Sequence, residues 1–162
     1  MWPVRASSVA FFVALLASAL VLGPALAHAF EMPAKMGLSR EQYFVVQQIY
    51  RGWDKIAFLL FGQIAALLAT AWLTRREKRV LVPTLLAIAF VLGAQAMFWT
   101  YTYPANVATA NWTVQPDNWE QLRRRWEYSH LVGAGLQLLA LASLVIAVVS
   151  RLPSRKRAYI YY

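Results

Sequence analysis

The sequence contains no cysteine. That absence removes disulfides, thiolate metal sites, cysteine nucleophiles and covalent c-type haem attachment together. It leaves the redox compartment open. Histidine is nearly missing as well: His28 and His130 are the only two. Acids are scarce, with 7 Asp and Glu against 16 Lys and Arg. There is no glycine-rich phosphate loop and no Gly-x-Ser-x-Gly elbow, so neither phosphate cradling nor an elbow serine is on offer. Ser129 adjoins His130, but neighbours along a helix do not face each other, which argues against a serine nucleophile. Any chemistry has to be built from a handful of polar side chains.

What the chain has in abundance is uncharged length. It is 60% hydrophobic and only 14% charged, whereas a soluble domain is about a quarter charged. Residues 6–30, 56–74, 80–103 and 131–150 hold no Lys, Arg, Asp or Glu. Each is close to the roughly 20 residues that a spanning helix needs. The expected fold is therefore all-α: a single integral membrane domain over residues 1–162, an antiparallel bundle of four transmembrane helices. Little chain remains for a soluble domain.

The net charge of +9 is unevenly placed. Arg5, Arg75, Arg76, Lys78, Arg79, Arg151, Arg155, Lys156 and Arg157 face a single acid, Glu77, in one set of segments. In the alternating set, Lys35, Arg40, Arg51, Lys55, Arg123, Arg124 and Arg125 are nearly balanced by Glu31, Glu41, Asp54, Asp117, Glu120 and Glu127. Positive loops stay in the cytoplasm. Both termini are thus expected there, with outer loops at 31–55 and 104–130, in a bacterial inner membrane. The basic patches face anionic head groups rather than nucleic acid.

Along the chain, residues 1–29 read in two ways. Arg5, the apolar core and Ala27-His28-Ala29 fit a cleavable signal, while the uncharged run to Phe30 fits a retained first span, which is preferred. Pro24 is expected to kink that helix and Pro33 to end it. Ser39 followed by Gln42 is a capping-box start. The helix from there to about Gly52 is too polar to span and belongs at the outer interface, on the end of the bundle. The short turn around residues 74–79 makes the second and third spans antiparallel neighbours. Asp117 or Asn118 is placed to cap a helix that runs unbroken through residues 119–130 into the fourth span.

The polar residues concentrate just before that last span, in Trp119-Glu-Gln-Leu-Arg-Arg-Arg-Trp126-Glu-Tyr-Ser-His130. Helical spacing puts Trp119, Arg123, Trp126, Glu127 and His130 on one side. Ionisable groups where a helix enters lipid are costly unless paired, and so point to function. His28-x-x-Glu31 on the first helix and Glu127-x-x-His130 on the fourth have inverted order on antiparallel helices. They become two matched His/Glu sets at one depth. Two readings follow. In one, His28, Glu31, Glu127 and His130 are ligands to zinc or non-haem iron, with Asp54 in reserve. In the other, no metal is needed: Glu127 pairs with Arg123, Glu31 with an outer arginine, and the histidines act as donors. His130, Glu127 and Arg123 are the candidate catalytic residues, for proton transfer and for stabilising negative charge. Haem held between the two histidines ranks lower, because carboxylates and arginines crowd the place. Trp53, Trp99, Trp112, Trp119 and Trp126 form either an interfacial belt or the wall of a pocket for a flat apolar molecule.

Tyr103-Pro104-x-Asn106, then Asn111-Trp112, then Trp119 through Arg123 and Trp126 to His130 and a final span resemble the anthrone-oxygenase-like family of small four-helix membrane proteins. The likeness covers about the last 60 residues; the first half agrees in span layout. It implies a membrane oxygenase or oxidoreductase that turns oxygen on a lipophilic aromatic substrate without an obvious cofactor. The alternative is a non-enzymatic accessory or structural subunit of a larger membrane complex, since so little soluble mass is present. The expected partners are the bilayer, a lipophilic small molecule, and another membrane protein or a second copy of the chain.

Overall fold

The computed structural model describes residues 5–151. Expectations that fall on Arg155, Lys156 and Arg157 lie outside them. The chain forms α1 (Ala6–Met36), α2 (Arg40–Gln47), α3 (Ile56–Leu73), α4 (Lys78–Met97), α5 (Tyr103–Ala108) and α6 (Trp119–Val149), with short 3-10 turns at Gln48–Tyr50 and Trp53–Lys55. A π-helical turn, Phe98–Thr102, joins α4 to α5, so these run on as one long helix. Among the described residues, four helices are long and apolar enough to cross a membrane. The protein is an all-α membrane bundle.

These segments are helical because nothing in them competes. They are runs of Ala, Leu, Val, Ile and Phe whose backbone groups must be satisfied internally in lipid. α1 packs on α3 and α6, and α4 packs on α6. Ala14, Ala66, Ala87, Ala140 and Ala147 are buried where helices meet, interleaved with Leu67, Val91 and Leu144. Small residues let helix backbones approach in a medium where hydrophobic burial drives little. At mid-bundle Gln63 donates to Ser18 Oγ at 3.2 Å and to Gln137 Oε1 at 2.9 Å, tying α3 to α1 and α6. Phe12, Phe58, Phe61, Trp72 and Ile146 stay exposed toward the lipid side.

One end of the bundle is lightly fastened. Arg151 reaches Glu77 at 3.3 Å and Ser7 Oγ at 3.1 Å, gathering the start of α1, the α3–α4 turn and the end of α6. The opposite end is closed by α2 and by the loop after α5. Ser39 caps α2 with the reciprocal bonds to Gln42 that its sequence called for. Gly52 takes φ +88°, a left-handed conformation that few other residues tolerate, and turns the chain from Tyr50 into Trp53.

Two local expectations are corrected. Pro33 does not end α1, which continues to Met36 with Pro24 and Pro33 inside it. A proline deletes one backbone bond and costs roughly 3 kcal/mol, and here the turn beyond it is held by the tertiary contacts of Lys35 with Glu127 and Tyr50. Neither Asp117 nor Asn118 caps α6 with its side chain; Asn118 is the N-cap residue but makes no such bond.

Candidate functional site

The extra turn of α1 past Pro33 carries Lys35 inward, and the site forms around it. Its ammonium is 4% exposed and lies 3.1 Å from Glu127 Oε1 on α6. It lies 3.6 Å from Glu31, one turn earlier on α1, and donates to Tyr50 Oη at 2.9 Å. The rings of Trp126 and Tyr50 flank it, with centroids at 4.7 and 4.9 Å. Tyr50 in turn donates to Glu31. Glu127, 1% exposed, also accepts from Tyr43 Oη at 2.9 Å. Tyr43 comes from α2, whose buried face is Tyr43, Phe44 and Gln47. Burial, and then the neighbouring carboxylate, push both phenols above the ordinary tyrosine range: Glu127 acts on Tyr43, Glu31 on Tyr50. Both therefore remain protonated donors.

Beside this chain stand the two histidines. Their ring centroids are 4.3 Å apart. His130 lies 3.9 Å from the Trp126 ring, and its Nδ1 is 2.8 Å from the Trp126 carbonyl. A carbonyl only accepts, so Nδ1 carries the proton and Nε2 keeps its lone pair. His28 is buried among Tyr50, Trp53, Trp126 and His130, and its Nδ1 has no partner. Glu127 Oε2 is likewise buried and unpartnered.

The expected residues are thus brought together only in part. His28, Glu31, Glu127 and His130 do meet at one end of the bundle. Yet among the described residues no three His, Asp or Glu side chains gather as a metal-binding group. The zinc or non-haem iron set finds no support here: the ammonium of Lys35 stands between the two carboxylates and faces both. Asp54 is exposed. A haem between the histidines is equally displaced, since rings 4.3 Å apart leave no space for a macrocycle. Arg123 does not pair with Glu127. Its guanidinium donates to the Leu38 carbonyl at 3.0 Å and rests on the Trp119 ring at 4.6 Å. Glu31 takes Lys35 rather than an outer arginine.

The tryptophans divide between the two readings. Trp99 is 59% exposed, as a belt residue is, whereas Trp112 and Trp126 are both 4% exposed and pack with Tyr43, Phe44 and Leu122. Asn106 Oδ1 accepts from both indoles, at 3.1 Å from Trp112 and 2.9 Å from Trp126. Ala110, Asn111 and Trp112 all have positive φ, between 46° and 63°. Such residues cost roughly 1–2 kcal/mol each. The turn is held by Trp112 N to Thr109 Oγ1 at 3.1 Å and by Gln48 Nε2 to the Trp112 carbonyl at 2.8 Å. Arg40 adds bonds to the Gln115 and Pro116 carbonyls. Asn106→Ala is expected to lose about 1–3 kcal/mol for each indole left without an acceptor. Denaturant titration in detergent reads this directly, and an unchanged midpoint would show that the two bonds contribute nothing.

Four residues that matter here were not among the expected site residues: Lys35, Tyr43, Tyr50 and Asn106, the last of them noted only within the Tyr103-Pro104-x-Asn106 pattern. For Lys35 a signal existed, the i, i+4 spacing from Glu31, which counts only if α1 passes through Pro33. Compared with models of protein families, with curated proteins and with solved structures, the chain matches none.

Proposed function

We propose that this chain is an integral membrane oxidoreductase that uses dioxygen on a lipophilic aromatic substrate, in the manner of the anthrone-oxygenase-like proteins its second half resembles. The observation that carries the reading is the buried Glu127, engaged through one oxygen by Lys35 and Tyr43 and left with Oε2 free. A carboxylate so held is oriented for proton abstraction. The His130 Nε2 lone pair is a second acceptor nearby. Lys35 replaces Arg123 as the cation for developing negative charge, because it lies at Glu127 and Arg123 does not.

The reaction converts an activated ring methylene and O2 to a ketone and water. Glu127 removes a C–H proton, and the resulting carbanion, delocalised as an enolate, gives its electrons to O2. A C–O bond forms, the second proton leaves, and O–O cleavage releases the other oxygen as water. O2 is the only oxidant. Oxygen uptake by purified protein in vesicles, with a panel of anthrones and quinols, tests this. No uptake, together with stable co-purification of a larger membrane protein, would support the accessory-subunit reading instead.

The charge distribution supports placing the termini and the α3–α4 turn in the cytoplasm and the His/Lys/Glu cluster at the outer face. The chain has no cysteine, so single cysteines report cleanly. Thr113→Cys is expected to label from outside and Arg76→Cys from the cytoplasm, both positions being exposed. The opposite pattern would invert the orientation.

A further inference from the structure

We propose that Lys35, Tyr50 and Glu31 form a proton exit path from the buried carboxylate of Glu127 to water at the rim of the bundle. This rests on the proposed reading for the origin of the proton, but the path itself does not need turnover to be observed.

An ammonium only donates and an ionised carboxylate only accepts. Lys35 donates to Tyr50 Oη at 2.9 Å, and Tyr50 donates to Glu31. Lys35 also faces Glu127 Oε1 at 3.1 Å, so the ammonium bridges the buried carboxylate and the Tyr50–Glu31 arm, and donation runs outward from Lys35 to Glu31. Glu127 is 0% exposed at its side chain and Glu31 is 40% exposed, so one end is dry and the other is wet. At the dry end Tyr43 donates into Oε1, leaving Oε2 as the atom that receives a proton. Arg123 turns away to Leu38, and the two imidazoles lie against Trp126, His28 edge-on and His130 tilted, so neither interrupts the line.

The step has two stages. Lys35 gives a proton to Tyr50 as Tyr50 gives one to Glu31, which leaves Lys35 a neutral amine with a lone pair. The protonated Glu127 carboxyl turns its O–H to that lone pair and gives up the proton, and Glu31 releases its own to water. Lys35 ends as an ammonium and Tyr50 as a phenol; a single proton has moved from the interior to the rim. Rotation of the Tyr50 hydroxyl and of the ammonium then resets the donor order. A structural ion pair would need only Lys35 and Glu127. Tyr50 and Glu31 are what the pair alone leaves without a purpose.

Proton release from Glu127 is measured by stopped-flow alkaline pH jump with infrared detection of its carboxyl band, assigned by loss of that band in Glu127→Gln. In Tyr50→Phe and in Glu31→Gln the release is expected to slow roughly tenfold or more, in the range where loss of a positioned proton-transfer group is felt. Formate or azide added to Glu31→Ala is expected to restore the rate, since a small weak acid replaces a carboxyl at the wet end. It is not expected to rescue Tyr50→Phe. Unchanged rates in both variants would overturn the path, as would a Glu127 band that fails to respond to pH. Loss of oxygen uptake in the unaltered protein, with these rates intact, would count against the oxygenase reading alone.

Discussion

Lys35→Met is expected to destabilise the folded chain by about 3–5 kcal/mol, the range for removing one partner of a buried ion pair. The cost comes from what stays behind. Glu127 would keep Tyr43 as its only bonded neighbour while remaining 1% exposed. Glu31 would lose its i, i+4 cation, a smaller effect because that carboxylate is partly in water. Tyr50 would lose a donor and the Trp126 face its cation. Adding Glu127→Leu to the same chain is expected to return most of the loss, since a buried pair exchanged for apolar side chains is often neutral. The two changes should therefore be strongly non-additive. Reversible unfolding in mixed micelles gives both numbers. A single variant within about 1 kcal/mol of the parent would mean that water reaches Glu127, and that the burial described above does not hold in the bilayer.

Glu127→Gln separates chemistry from fold. The amide oxygen still accepts from Tyr43 and Lys35, so the bundle is expected to assemble. A glutamine cannot take a proton at neutral pH, and turnover is expected to drop by about 10²–10⁴, the usual contribution of a positioned general base. KM is expected to move little, because the side chain's size and bonds are kept. Oxygen uptake against substrate concentration provides the split. Full activity in this variant would pass the role of base to His130, whose Nε2 is the other free acceptor at this end.

The architecture was legible because the bilayer demands it. Uncharged runs of spanning length, a basic turn and a capping box at Ser39 each have a single physical reading, and α3 and α6 run close to where composition put them. Glu127 and His130 were legible as interior residues through helical spacing. Their partners were not. Spacing places Arg123 one turn from Glu127, but it does not decide which cation arrives first from another helix. Lys35 arrives because α1 ignores Pro33, and a local rule about prolines cannot see the tertiary clasp that overrides it. Tyr43 and Tyr50 sit on short helices whose buried face depends on what they dock against. The left-handed run at residues 110–112 contains no glycine to announce it.

The site has a consequence for how the chain is made. Its α1 residues, His28, Glu31 and Lys35, precede its α6 residues, Trp126, Glu127 and His130, by more of the sequence than separates any other packed pair of spans. Synthesis delivers the N-terminal half first. Until α6 is inserted, Lys35 has no Glu127 and must wait at the water boundary, where a long amine on the last turn of a helix can reach out of the lipid. The buried cluster therefore closes last. A chain arrested before residue 119 would hold three spans and a Lys35 with only the rim partners Glu31 and Tyr50, its buried counter-charge still to come.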